Sequence, residues 1–105
     1  MLDSVTDSSF DDFVHKHKEV VIDFWATWCH PCIEMEPIIS EISASFAGRV
    51  AFAKMDTDKN PRVSKRYKVN SIPAIFAFKE GKPVDKSIGV IPKRALVKFI
   101  NDAFD

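Results

Sequence analysis

Glycine is scarce. Gly48, Gly81 and Gly89 are the only three in 105 residues, and there is no internal repeat, low-complexity tract or Ser/Pro-rich stretch. That leaves no place for a flexible linker, so one domain over residues 1–105 is expected. The chain also lacks an excess of charge, with 15 Lys and Arg balancing 15 Asp and Glu. General affinity for nucleic acid or anionic membrane draws on surplus Lys and Arg, so neither partner is expected. No run approaches the ~18 apolar residues of a membrane span. The opening MLDSVTDSSF is acidic and has no apolar stretch, which argues against a signal or transit peptide. The expected location is therefore the cytoplasm, where structural disulfides rarely persist.

Apolar material is plentiful: 46% of the chain, with nine Phe. A chain of this length buries roughly two-thirds of its unfolded surface, enough for one core without staples. Asp7 or Ser8 can cap a helix from about Ser8 to His17, with Phe10, Phe13, Val14 and His17 at helical spacing. EVVIDFWA is too short for a helix and nearly all apolar, which predicts a central strand buried on both faces. Met35, Ile38, Ile39, Ile42 and Phe46 form the stripe of a helix from about Pro31 to Ala47, interrupted by Pro37 and ended by Gly48. RVAFAKMD predicts a strand and PRVSKRY a short helix opened by Pro61. AIFAFK, the turn EGKP and PVDKSIGV predict a hairpin whose second strand lies at an edge. A last helix starts near Pro92 and buries Leu96, Phe99, Ile100, Ala103 and Phe104. The basic groups KRYK and PKR fall on solvated helix faces. This order predicts an α/β fold with a central mixed sheet of four to five strands and helices on both faces.

Only two cysteines are present, in the stretch WATWCHPC. A structural zinc site usually needs four Cys or His ligands. The remaining candidates are His15, His17 and His30, and the first two point different ways on one helix. A metal site in one chain, or one shared between two chains, is disfavoured, and no metal is expected. An inert disulfide is also disfavoured, because so small a loop adds little entropic stabilisation. The strand ends just before Cys29 and the helix starts there, which places Cys32 one turn on and within disulfide reach. Free amides and the positive end of the helix dipole favour the Cys29 thiolate, the attacking species. Cys32, deeper in the helix, is expected to resolve the mixed disulfide.

With those residues in hand, the chain resembles the thioredoxin family. VVIDFWATWCHPC, Pro37 five residues after the second cysteine, FAKMDTDKNP, RYKVNSIPAIFAFKEGKPV, Gly89 and the last helix keep the family's order and spacing over nearly the whole chain. The resemblance implies the thioredoxin fold and a monomeric dithiol-disulfide oxidoreductase. It implies electrons carried from thioredoxin reductase to disulfide-containing target proteins, with the cysteine pair as redox centre and no separate cofactor. Two positions depart: His30 stands where Gly is usual, and Ala74 where Thr is common.

Asp23 is a carboxylate inside a buried strand, where loss of hydration makes a proton easier to hold near neutral pH. The resemblance places it beneath Cys32 as proton acceptor, with Lys54 nearby. A structural alternative has Asp23 satisfied by backbone donors or by Lys54. The resemblance also makes Ile72-Pro73 a cis bond beside the disulfide, where the Ile72 backbone pairs with an extended substrate segment. Trp28 and Gly89, with Ile88 and Val90, supply the apolar rim, while Trp25 is expected to pack. His30 stabilises the Cys29 thiolate when charged, or donates a hydrogen bond when neutral, and should make the pair more oxidising. Pro31 limits that shift. Two alternatives stay open: an oxidant or isomerase, which His30 supports and the missing signal peptide opposes, and a partner clamp built on Trp28, Pro73 and Gly89.

Overall fold

The computed structural model describes residues 2–105, arranged as a five-stranded sheet with four helices. The strands are β1 (Asp3–Ser4), β2 (Glu19–Trp25), β3 (Ala51–Asp56), β4 (Ala74–Lys79) and β5 (Lys82–Ile88). The helices are α1 (Phe10–Lys16), α2 (His30–Ser45), α3 (Pro61–Arg66) and α4 (Lys93–Phe104). The sheet order is β1-β3-β2-β4-β5. β1 and β2 run parallel to β3, and β4 runs antiparallel to both β2 and β5. The expected mixed sheet is present, with β2 at its centre.

Side chains alternate across a strand, and β2 divides the core accordingly. Val20, Ile22 and Phe24 face one side, packed with Phe10 and Val14 of α1 and Val63 of α3. Val21 faces the other side, packed with Met35, Ile39 and Ile42 of α2 and Leu96 and Ile100 of α4. Asp23 therefore lies on the α2 side. Phe99 and Ala103, expected in the core, are half-buried at its margin.

Several local expectations are corrected. β1 was not predicted, because two exposed residues carry no periodicity; buried Leu2 and Val5 flank it. Helix α1 begins at Phe10 with Ser9 as its N-cap, and His17 follows its end in extended backbone. The expected cap Asp7 serves a different helix: its carboxylate accepts from the backbone N–H groups of Arg62 (3.0 Å) and Val63 (2.9 Å) in α3. Ser8 is exposed, its hydroxyl beside that of Thr6. Helix α2 starts one residue earlier than expected and ends at Ser45, with Phe46 as C-cap.

The EGKP turn forms a two-residue hairpin. Glu80 (φ 52) and Gly81 (φ 82) both take left-handed backbone, the pairing that matches strand twist. Gly81 has a second constraint, since a Cβ there would stand 2.6 Å from His15 Nε2. Pro83 lies on exposed β5 beside a register irregularity at Ala77/Phe78, where a missing donor is tolerated. Among the described residues no helix is long and apolar enough to cross a membrane.

Candidate active site

The site lies where β2 hands over to α2. Cys29 has extended backbone (φ −90, ψ 101) and is the N-cap of α2, a position usually taken by a side-chain oxygen. Its sulfur fills that role, accepting the Cys32 N–H at 3.2 Å. The sulfur thus meets one of the amides that a helix start leaves without an internal partner, at the positive end of the dipole. Pro31, in the first turn, lacks an N–H that the helix does not need there. Cys29 and Cys32 form a disulfide with Cα atoms 5.3 Å apart. Exposure does not separate them, since Cys29 is 3% and Cys32 2% exposed. The expected difference in depth is absent from this disulfide form, and the hydrogen bond to Sγ distinguishes Cys29.

Asp23 is 2% exposed, and among the described residues nothing donates a hydrogen bond to its Oδ1. Burial pushes its pKa from 3.8 to about 7; the Glu36 charge adds to the rise and the Lys54 charge opposes it. Lys54 is its register neighbour on β3, so both side chains leave the sheet on one face. The Lys54 ammonium lies 3.4 Å from Glu36 Oε1 and 4.8 Å from the Trp25 ring centroid. Trp25 packs half-buried against the cluster of Ala26, Cys29 and Cys32, as its expected structural role requires.

Beside the disulfide, Ile72-Pro73 is cis, and the Ile72 carbonyl oxygen lies 3.8 Å from Cys29 Sγ. Pro73 is buried, and its carbonyl accepts the Gly89 N–H at 2.8 Å. Gly89 has φ +93, a backbone that other residues rarely adopt. Around this bridge Trp28 is 69% exposed, with Ile33, Ile88 and Val90 also open to solvent. The Trp28 indole N–H donates to Asp58 Oδ2 at 2.7 Å, which fixes the ring's orientation. His30 is exposed at the first position of α2. The structure thus gathers Cys29, Cys32, Ile72, Pro73 and Gly89 around the disulfide, with Asp23 and Lys54 inside the sheet face.

Two charged residues of this region were missed, Glu36 and Asp58. Glu36 had a signal, since it stands four residues after Cys32 on one helix face. Asp58 had none, because TDKN reads only as a polar loop. Among the described residues no group of three or more His, Cys, Asp or Glu side chains is placed to hold a metal.

The comparisons agree with this geometry. The family model described as Thioredoxin matches residues 1–102. Thioredoxins of Staphylococcus aureus strains Mu50 and N315 are each 42% identical over 97 residues, covering 92% of both chains. A chain solved in work on thiol resolution in a yeast mitochondrial 1-Cys peroxiredoxin superposes with TM-score 0.87 at 31% identity, over 96% of this chain and 94% of that one. With the match spanning nearly every residue and the cysteine pair joined at the helix start, the chain belongs to the thioredoxin family of dithiol-disulfide oxidoreductases and acts as a protein-disulfide reductase.

Proposed function

We propose that Cys29 is the attacking nucleophile, Cys32 the resolving thiol and Asp23 the proton acceptor for Cys32. The observation that carries this is the Cys29 sulfur capping α2 beside the Ile72 carbonyl, with a buried carboxylate on the α2 side of the sheet whose Oδ1 has no hydrogen-bond partner among the described residues. The Cys29 thiolate attacks a target disulfide and forms a mixed disulfide, expelling the first target thiolate. Asp23 takes the Cys32 proton, and the Cys32 thiolate then attacks Cys29 Sγ. That step closes the Cys29-Cys32 disulfide and expels the second target thiolate. Two electrons from thioredoxin reductase restore the dithiol. The cysteine pair is the whole redox centre and needs no separate cofactor.

The target segment lies extended against the Ile72 backbone, with Trp28, Gly89 and Val90 at its margin. Main-chain pairing gives affinity with little sequence preference, suited to many disulfide-containing proteins. Lys54 acts through the charge it presents near Asp23. The protein works as a cytoplasmic monomer. Reduction of insulin disulfides, driven by thioredoxin reductase, should show thiol-dependent turnover. A chain that bound targets without turnover would be a partner clamp, and the proposal would fail.

His30 gives a separate prediction about redox poise. An imidazole on the first turn of α2, beside Cys29, stabilises the thiolate, and the disulfide gains nothing comparable. Against a family reference near −270 mV, the potential is expected on the order of −260 to −230 mV. Equilibration of wild type and His30→Gly with glutathione at two pH values measures this. The glycine variant should be more reducing by about 30 mV, and a difference under about 10 mV would make His30 a spectator.

A further inference from the structure

We propose that Glu36 is a positioning residue that acts through Lys54: by holding the Lys54 ammonium against α2, it withholds that cation from Asp23 and leaves the carboxylate to bind a proton. The inference deepens the proposed role of Asp23 and rests on it for its catalytic consequence.

The parallel register sets Asp23 directly beside Lys54. Neighbouring strands lie about 4.8 Å apart, so a lysine there has the reach to bridge to a buried carboxylate, and a charge-assisted bond would reward it. The ammonium goes elsewhere. It lies 3.4 Å from Glu36 Oε1 and over the Trp25 ring, while Asp23 Oδ1 accepts no hydrogen bond from any described residue. Glu36 follows Cys32 by one helical turn, so a single face of α2 carries the resolving cysteine and the group that engages Lys54. The Lys54 side chain is 14% exposed and that of Glu36 30%, so water screens the pair only in part.

Among the described residues two charged groups act on Asp23, Glu36 of α2 and Lys54 of β3. β4 places Ile75 in register with Asp23, and α4 packs on this face with Leu96 and Ile100. Burial is the main influence on the Asp23 proton, and the balance between Glu36 and Lys54 adjusts it. Removing Glu36 frees the ammonium to turn to Asp23, whose proton is then bound less tightly.

The test is the Asp23 carboxyl titration, followed by the ¹³Cγ chemical shift in the oxidised protein. Wild type, Glu36→Gln, Lys54→Met and the double variant are compared. Glu36→Gln should lower the midpoint by at least about 0.5 pH unit, and Lys54→Met should raise it. In the Lys54→Met background the Glu36→Gln change should fall below half its size in wild type, as expected of coupled groups. A Glu36→Gln change under about 0.2 unit, or an equal change in both backgrounds, would overturn the inference. The pH profile of Cys32 resolution separates the two claims. If the titration moves as expected and the profile does not, the coupling stands and the proton-acceptor role of Asp23 falls.

Discussion

Cys29→Ser should lose disulfide reduction down to the uncatalysed background, a fall on the order of 10³-fold or more, the scale of removing a covalent nucleophile. Cys32→Ser should fail differently. Its Cys29 still attacks, but no thiol remains to release the target, so the variant accumulates as a stable mixed disulfide. Non-reducing gels of each variant incubated with insulin distinguish the two outcomes, with adducts formed by Cys32→Ser and none by Cys29→Ser. The physical basis is the position of Cys29 Sγ at the helix start, where it meets the Cys32 amide at 3.2 Å. A thiolate there is stabilised by the hydrogen bond and by the dipole, whereas Cys32 sits inside the first turn. In the reduced protein Cys29 should therefore also be alkylated first at neutral pH. Faster labelling of Cys32 would reverse the assignment.

Asp23→Asn should separate chemistry from stability in a single variant. Asn keeps the volume and cannot take a proton, so attack by Cys29 should change little. Resolution by Cys32 near neutral pH should slow, by 10²- to 10⁴-fold at most, the usual range for a general base. Stability should move in the opposite direction. Folding raises the Asp23 pKa from 3.8 to about 7, chiefly through burial. The folded protein thus holds the proton more tightly than the unfolded chain, and its stability falls as pH rises from about 4 to about 7. A shift of roughly 3 units at 1.36 kcal/mol each makes the loss about 4 kcal/mol. The Asn variant has no such loss, and above pH 7 it should be the more stable protein. Guanidinium unfolding at pH 4, 5.5 and 7.5 measures the slopes. Equal pH dependence in both proteins, or an unchanged resolution rate, would return Asp23 to a structural role.

Much of the fold was legible because its signals are contiguous. From Val20 to Ala26 the run EVVIDFWA has no polar residue except Asp23, and it became the central strand. Met35, Ile39 and Ile42 repeat at helical spacing, and they are the buried stripe of α2. Apart from β1, which was missed whole, errors fell at element ends, where a cap is chosen by whichever neighbour offers a donor. Asp7 illustrates the cause: it precedes α1 in sequence but meets α3, with Val63 lying 56 residues away. No local pattern carries that information.

The candidate site divides along the same line. The amino-acid sequence by itself determined the cysteine pair, because three-residue spacing at a helix start brings two sulfurs together whatever the rest of the chain does. It also determined that a carboxylate would be buried, since Asp23 has apolar neighbours on both sides. Tertiary structure alone decided what that carboxylate meets. Whether Lys54 faces Asp23 depends on the β2–β3 register, and whether its ammonium is free depends on Glu36, 18 residues away on α2. Trp28 is held by Asp58 across 30 residues for the same kind of reason. Periodicity records which face of an element is apolar. Which charged tips meet is set by how two elements are packed, and that relation is written in no single stretch of the chain.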